Sequence, residues 1–222
     1  MRLLVAKQPV QRILGWTQGL LFAAGLALLG WCAYVVLDAR VFQQAEDRRL
    51  DGLLLASHET DGGASGNPST AAPSVVRLPV SAAGLIGRLD IPRLGLSVIV
   101  IEGVRAATLR RAVGHIPRTA LPGQPGNVGI SGHRDTFFRP LRNIRQNDMV
   151  TVTTPTGEFR YRVVSTRIVR PDNVAVLNAT ENQVLTLVTC YPFYFVGPAP
   201  SRFIVRAERV DTPLPERPSD PQ

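Results

Sequence analysis

The residue best suited to chemistry in this chain is a cysteine near its C-terminal end. Cys190 ends the β-like run QVLTLVTC and is followed by the proline- and aromatic-rich segment YPFYFVGPAP. A thiol at the end of a strand and beside a loop can reach solvent. The second cysteine of the chain, Cys32, lies in a long apolar stretch and fits a small buried hydrophobic residue. Any cysteine chemistry therefore depends on Cys190.

A nucleophilic thiol needs a partner for proton transfer and a positive group near the developing oxyanion. His133 follows the run NVGISG, an apolar strand that ends in small residues, and can therefore stand at the rim of a fold rather than in its core. Arg202 opens the next β-like run after the cysteine loop. We predict that Cys190, His133 and Arg202 form the catalytic set.

Three further residues are candidates for supporting or substrate-binding roles. Thr189 directly precedes the cysteine, and Asp135 follows His133 by two residues. Either can tune orientation through hydrogen bonds, although a strand threonine and a helix N-cap explain them equally well. His115 also precedes a Gly- and Pro-rich loop, and we expect it to pack that loop or line a substrate groove, with catalysis as the alternative.

Other kinds of site find less support in the sequence. Two cysteines and three histidines do not supply a disulfide framework, a zinc ribbon or a multi-histidine metal centre. The glycines of GQPGNVG match neither a dinucleotide fingerprint nor a P-loop. In GISGH, His133 stands where a serine nucleophile elbow needs its second glycine, so we interpret Ser131 as structural.

Length and composition indicate one ordinary domain with an appendage. The chain has 222 residues, 45% of them hydrophobic, which is too many for a disordered protein and too few for a polytopic membrane protein. The net charge is +8, and a single lysine, Lys7, accompanies the arginines. Because the arginines are scattered rather than clustered, they indicate a solvated surface and not a nucleic-acid site.

The appendage is predicted to be a membrane anchor. Residues 13–37 carry no charge, and 25 helical residues at ~1.5 Å each can cross a ~30 Å hydrocarbon core. This stretch is too long for a cleaved signal peptide. Basic residues precede the span, whereas charges of both signs follow it, which predicts a cytoplasmic N-terminus at 1–12 and an extracytoplasmic location for the rest.

The remaining chain divides by composition. Residues 38–79 are predicted to hold a juxtamembrane helix, over 39–57, and a flexible tether rich in Gly, Ser and Pro, over 59–79. Residues 80–210 form the folded domain. The tail at 211–222 has four prolines in twelve residues and is predicted to be disordered.

The folded domain is predicted to be all-β. Its β-like runs are rich in Val, Ile and Thr and indicate a closed barrel. We predict seven strands, at residues 85–90, 96–102, 127–131, 149–153, 158–170, 183–189 and 202–210. Short helical turns are predicted at 106–113 and 137–144.

Across residues 80–210 the chain closely resembles the sortases, membrane-anchored cysteine transpeptidases of bacterial surfaces. The resemblance is carried by GNVGISGHRDTFFRPLRNI, TLVTCYPF and APSRFIV, which occur in the order of the family. The HRD run with Thr136 and Phe137, together with CYPF, is most similar to class D sortases and their proteobacterial relatives.

This resemblance implies an eight-stranded sortase-type β-barrel, one strand more than we predict from the residues. It places a catalytic histidine at His133, the nucleophile at Cys190 at the end of one strand, and an arginine at Arg202 near the start of the next. It also implies a single-pass location in the bacterial cytoplasmic membrane.

The implied reaction has two halves. Cys190 attacks the carbonyl after Thr in an LPxTG-like sorting signal of a secreted protein and forms a thioacyl enzyme. An amine of a peptidoglycan peptide or a pilin lysine then resolves it, which anchors surface proteins or assembles pili. No cofactor is required by this scheme; some sortases use calcium, but the acidic residues of this domain do not locate a calcium site.

Two other functions fit parts of the pattern. A different cysteine transpeptidase or peptidase directed at peptidoglycan could use the same Cys190 and His133 with another acyl donor. A membrane-tethered adhesion or scaffolding domain would make both residues incidental. Reaction with LPxTG-like peptides, compared with muropeptides, separates these functions.

Overall fold

The computed structural model of this protein describes residues 7–61 and 84–210. The chain divides into two compact units, Met1–Val41 and Phe42–Gln222. One long helix, α1, covers Lys7–Asp61 and contributes to both units. Residues 59–61 of the predicted tether belong to α1, whereas its remainder and the tail at 211–222 lie outside the described residues.

The first unit is the apolar part of α1. Its side chains from residue 14 to residue 37 are exposed, including Trp16 at 82% and Leu20 at 73%. The most apolar window of α1 has a mean hydropathy of 2.3 and is long enough to cross a membrane. Pro9 lies in the first turn of α1, where a missing N–H costs no helical hydrogen bond. This helix fits a single-pass membrane anchor.

The second unit begins with the C-terminal part of α1, which packs against the barrel. Leu50 is completely buried in a small apolar cluster. Its buried partners from the barrel side are Leu85, Ile99, Ile101 and Ala112. Residues 42–56 are therefore part of the folded domain rather than of a free connection.

Polar contacts fix the same helix segment in register. The Gln43 side chain accepts a hydrogen bond from the Ile99 amide at 2.9 Å and donates one to the Arg111 carbonyl at 2.6 Å. Arg88 of the barrel donates to Asp47 at 2.7 Å and lies 3.5 Å from Asp51. Since the two aspartates stand four residues apart, they face Arg88 from one side of the helix.

The barrel consists of eight strands that close in the order β1-β2-β3-β4-β7-β8-β6-β5. The strands are β1 Leu85–Ile91, β2 Leu96–Glu102, β3 Val113–His115, β4 Asn127–Ser131, β5 Met149–Thr154, β6 Gly157–Val169, β7 Val184–Tyr191 and β8 Ser201–Arg209. Helix α2 covers Ala106–Arg111, and 3₁₀ turns occur at Pro92–Leu94, Arg139–Asn143 and Val174–Leu177. The predicted all-β barrel is confirmed.

All seven predicted strands are present, and the eighth is β3. This strand has only three residues, too few to show an alternation in sequence, and its central residue is Gly114. A Cβ at Gly114 would lie 2.2 Å from the Gly103 carbonyl oxygen, so glycine is needed for the close approach of the two backbones. The predicted turn at 137–144 is a 3₁₀ turn, and that at 106–113 ends as α2 at Arg111.

Successive side chains along each strand point alternately to the barrel core and to its outer face. In β7, Leu185 and Leu187 lie in the barrel core. Thr186, Val188 and Cys190 therefore point to the outer face, because successive strand residues alternate. The connection from β6 to β7 covers the outer side of β4, where Asn127 donates to carbonyls of that connection and residues 127–130 are all buried.

An ion pair joins the first 3₁₀ turn to the start of β5. The Arg93 guanidinium donates hydrogen bonds to the buried carboxylate of Asp148. The same carboxylate accepts a hydrogen bond from the Arg145 amide at 2.7 Å. The hydrogen bond from Arg93 lowers the pKa of Asp148, so this carboxylate stays charged throughout the neutral range.

The packing of α1 predicts the effect of Leu50→Ala. Removing this buried side chain is expected to cost about 2–5 kcal/mol of unfolding free energy, because it leaves a cavity between helix and barrel. Leu55→Ala, at a side chain 69% exposed, should change it by less than about 0.5 kcal/mol. Urea unfolding of the full chain in detergent micelles, followed by tyrosine near-UV circular dichroism, measures both. Equal stability of the two variants would show that α1 does not pack on the barrel.

Candidate active site

The pairing of β7 with β8 brings two of the predicted catalytic residues together. Cys190 and Arg202 are direct partners across this antiparallel pair. Opposite residues of such a pair share a face, with their Cβ atoms about 4.5–5.5 Å apart. Cys190 is a free, half-buried thiol, and Arg202 is also half-buried. The nucleophile and the cation therefore stand side by side on the outer face.

The third predicted residue follows β4, which pairs in parallel with β7. Ser131 is the register partner of Val188. One residue further, the Gly132 amide donates to the Val188 carbonyl at 3.2 Å, and the Thr189 hydroxyl donates to the Gly132 carbonyl at 2.8 Å. His133 follows two residues after the end of β4, and the same register carried on to it would place it opposite Cys190.

Arg134 holds the chain on the other side of His133. Its guanidinium donates to the carbonyls of Pro192 at 3.0 Å, Phe195 at 2.6 Å and Gly197 at 3.0 Å. The backbone of His133 is thus fixed on both sides. Gly132 binds the backbone of β7, and Arg134 binds carbonyls of the loop that follows Cys190. Sequence analysis did not identify this role of Arg134. Its acceptors are backbone carbonyls of a distant loop, which every residue type carries, so they give no signal in the sequence.

A close approach explains the glycine before the histidine. A Cβ at Gly132 would lie 2.8 Å from the Phe138 ring and 2.9 Å from a methyl of Val113. Phe138 is completely buried, and its amide donates to the His133 carbonyl at 3.0 Å. The turn after β4 is therefore packed tightly on the core, which orients the histidine.

The supporting candidates receive different environments. Thr189 is 2% exposed, and its hydroxyl joins β7 to the turn before the histidine. Asp135 is exposed in the turn after His133, and its carboxylate has no hydrogen bond or ion pair with any residue the structure describes. Thr189 therefore positions backbone, whereas the structure assigns Asp135 no contact with the other site residues.

His115 lies in a separate part of the barrel. It is 3% exposed on β3, and its Nδ1 is 2.7 Å from a carboxylate oxygen of Glu102. Its Nε2 is 2.9 Å from the Ala120 carbonyl and 3.0 Å from the Thr119 hydroxyl. His115 pairs with Ile130 of β4, whose partner on β7 is the core residue Leu187, three residues before Cys190. The structure does not bring His115 together with the thiol.

Arg202 keeps donors available. One guanidinium nitrogen donates to the carbonyls of Ala199 at 3.3 Å and Ser201 at 3.1 Å. A guanidinium carries five N–H donors in a planar fork, so contacts through a single nitrogen leave others for a ligand. The two loop carbonyls hold the side chain at the cysteine edge of the barrel.

Aromatic residues surround the cysteine loop. Tyr191, Phe193 and Phe203 form a cluster with ring centroids 5.4–6.3 Å apart. Beyond it Tyr194 and Val196 are 76% and 95% exposed. The thiol therefore lies between an aromatic cluster and an exposed apolar loop.

The arrangement supplies the parts of an acyl transfer. A thiol can attack a carbonyl, an imidazole can move the proton, and a guanidinium can stabilise the oxyanion. Among residues 14–56 and 84–210, whose side chains the structure describes, no group of three or more His, Cys, Asp or Glu side chains is placed to hold a metal ion.

Comparison with known proteins agrees with the barrel and its motifs. Residues 89–210 match the family model of the Sortase domain. Sortase D of Bacillus subtilis is 30% identical over 191 residues, which cover 86% of this chain and 96% of that protein.

Solved structures give the same result. A sortase D5 transpeptidase of Clostridium perfringens is 30% identical, with a TM-score of 0.53 over 57% of this chain and 79% of that one. A lid mutant of sortase A from Corynebacterium diphtheriae is 27% identical, with a TM-score of 0.57 over 77% and 98%. The chain is similar to these proteins in both sequence and fold.

The environments of buried His115 and half-buried His133 predict opposite effects of alanine substitution. His115→Ala should lower the unfolding free energy by about 1–3 kcal/mol, because Glu102 and the Ala120 carbonyl lose their partner. His133→Ala should leave stability within about 0.5 kcal/mol and abolish acyl transfer to an amine. Thermal unfolding and a peptide transfer assay measure the two effects. Full activity of His133→Ala, with loss of activity and unchanged stability in His115→Ala, would reverse the assignment.

Proposed function

The chain belongs to the sortase family of transpeptidases, and on that premise we propose that its reaction proceeds through a thioacyl intermediate on Cys190. The observation that carries the proposal is the convergence of three strand ends. Cys190 and Arg202 are direct partners, and the hydrogen bond of Gly132 with β7 supports a position of His133 near them. Sortases in general act on sorting signals and on peptidoglycan or pilin acceptors.

In the first half-reaction His133 takes the proton of the Cys190 thiol, and the sulfur attacks the carbonyl carbon of the Thr in an LPxTG-like signal. A C–S bond forms, and the carbonyl oxygen becomes an oxyanion, which the Arg202 guanidinium stabilises. When the intermediate collapses, the C–N bond breaks and His133 gives a proton to the departing amine. The acyl group then remains on sulfur as a thioester.

The second half-reaction runs the same steps toward a new amine. His133 takes a proton from the acceptor amine as its nitrogen attacks the thioester carbon. The C–S bond breaks, and an amide bond forms to the acceptor. The steps need no cofactor, because the thiol, the imidazole and the guanidinium supply the nucleophile, the proton carrier and the fixed cation.

The substrates are proposed to be secreted proteins with a C-terminal sorting signal, and the acceptor an amine of a peptidoglycan peptide or a pilin lysine. The reaction would anchor surface proteins or polymerise pilins. The apolar part of α1 supports this assignment, because a membrane anchor keeps the enzyme where secreted proteins emerge.

The proposed orientation follows from charge. Arg2, Lys7 and Arg12 precede the apolar span, which favours a cytoplasmic N-terminus and an extracytoplasmic catalytic domain at 80–210. The anchor itself is proposed to cover 13–37, in the bacterial cytoplasmic membrane. Residues 38–79 would then lie on the outer side, with 42–56 packed on the barrel.

Cys190→Ala tests the nucleophile. This variant should form no covalent intermediate with an LPxTG-like peptide, because no thiol remains to accept the acyl group. Intact-protein mass spectrometry of the wild type should show a mass increase that hydroxylamine removes, and Cys32→Ala serves as the matched control with wild-type adduct. An adduct on Cys190→Ala would refute the assignment, and an adduct with muropeptides alone would identify a peptidoglycan-directed enzyme.

Arg202→Ala tests the oxyanion donor. Loss of one such donor is expected to reduce kcat by about 10²–10³-fold with an unchanged melting temperature. Arg162→Ala, which removes an exposed arginine of β6, is the control and should retain wild-type kcat. Wild-type kcat in Arg202→Ala would mean that another group stabilises the oxyanion.

A further inference from the structure

The outer face of the barrel continues from the cysteine as ordered rows of side chains. Opposite residues of antiparallel strands share a face, so each row crosses β7, β8 and β6 in turn. The rows are Cys190–Arg202–Val169, then Val188–Ile204–Arg167, then Thr186–Arg206–Ser165. A ligand that binds at Cys190 and extends along the strands therefore meets Arg167 first and Arg206 next.

The second and third rows form the floor of a cavity of about 230 Å³. Its other wall is the connection between β6 and β7, which contributes Asn173, Ala175 and Val176. Asn127 fixes this connection, since its side-chain amide donates to the carbonyls of Val176 at 3.0 Å and Asn178 at 3.2 Å. The cavity thus lies between the strands β6, β7 and β8 and a connection that hydrogen bonds hold in place.

The cavity holds positive charge without an internal anion. Arg206 is half-buried and Arg167 is exposed, and neither has a hydrogen bond or ion pair with any described residue. The carboxylates closest in sequence lie elsewhere: Glu208 is exposed one row further, opposite Arg162, and Asp172 pairs with Arg170 at 3.3 Å. A half-buried guanidinium without a partner favours a carboxylate ligand, which its forked donors can bind through two oxygens.

The residue spacing along the strands gives the distance between Arg206 and a substrate carbonyl bound at Cys190. The Arg206 row is four residues from Cys190 along β7, or about 13 Å at ~3.3 Å per residue. An extended peptide with its scissile carbonyl at the thiol covers the same distance in four residues. In an LPxTG-like signal, the fourth residue before Thr is the one that directly precedes Leu.

We infer that this cavity is a specificity subsite for an acidic side chain. Arg206, assisted by Arg167, binds the carboxylate of an Asp or Glu directly before the leucine of the sorting signal. Ile204 and Ala175 contact the methylene part of that side chain. The subsite rests on the proposed function and adds a preference in substrate sequence to it.

Two peptides test the subsite without any change to the protein. They carry the same LPxTG-like signal, preceded by either Asp or Asn, so that they differ in charge but hardly in shape. Wild-type kcat/KM should be about 10-fold higher for the Asp peptide. Fluorescence anisotropy with Cys190→Ala, which cannot turn the peptides over, should give a similar ratio of dissociation constants.

Variants of the protein assign the effect to one residue. Arg206→Gln should make the two peptides equivalent, whereas Arg162→Gln, which removes the same charge from the neighbouring row, should retain the full preference. Arg206→Glu should prefer a peptide with Lys before Leu. Equal binding of the Asp and Asn peptides to Cys190→Ala, or a preference that survives Arg206→Gln, would overturn the subsite.

The two assays separate this inference from the proposed reaction. If wild type forms the thioester equally with both peptides, the subsite is wrong and the reaction stands. If the Asp peptide binds in an Arg206-dependent way but no thioester forms, the subsite stands and the reaction is wrong.

Discussion

The parallel pairing of β4 with β7 is the contact on which the candidate site depends. Five register pairs, from Asn127 with Val184 to Ser131 with Val188, align the two strands, and the Thr189 hydroxyl extends the alignment to Gly132. A parallel pair needs a long connection, and here more than fifty residues separate β4 from β7. Because the register is fixed by backbone hydrogen bonds in a buried sheet, the segments that carry His133 and Cys190 leave the sheet at the same edge. A slip of one residue would turn every side chain of β4 to the other face.

The second constraint is that much of this barrel is covered on its outer side as well. The C-terminal part of α1 covers β2 through Leu50, and the connection between β6 and β7 covers β4. These covers leave the region around β8 open, where Arg202 and Arg206 lie. The open region is therefore the part of the outer face that neither α1 nor the connection between β6 and β7 covers. It extends from the Cys190 thiol to the wall of the cavity.

The arginines of the domain divide by role when their contacts are considered. Arg88 and Arg93 hold elements together through carboxylates, and Arg134 does so through carbonyls. Arg202 and Arg206 lie on the outer face of one strand, two rows apart, and make no ion pair with the residues the structure describes. The positive charge of the barrel, which composition alone interprets as a solvated surface, therefore includes two arginines on one strand that no described carboxylate neutralises.

Residue type and local period were enough to identify the reactive groups and most of the local elements. A 25-residue apolar span, seven of the eight strands and the order of His133, Cys190 and Arg202 follow from residue type and period, which are local properties. The different surroundings of the two Gly-His pairs could be seen only in the folded barrel. His115 and His133 both precede loops, but one binds Glu102 inside the barrel and the other follows β4 to its edge. The difference between the two histidines arises from strand pairing between distant segments. The three-residue strand β3 is too short to show a period in the sequence. The absence of an ion-pair partner for Arg206 among the described residues also gives no periodic signal.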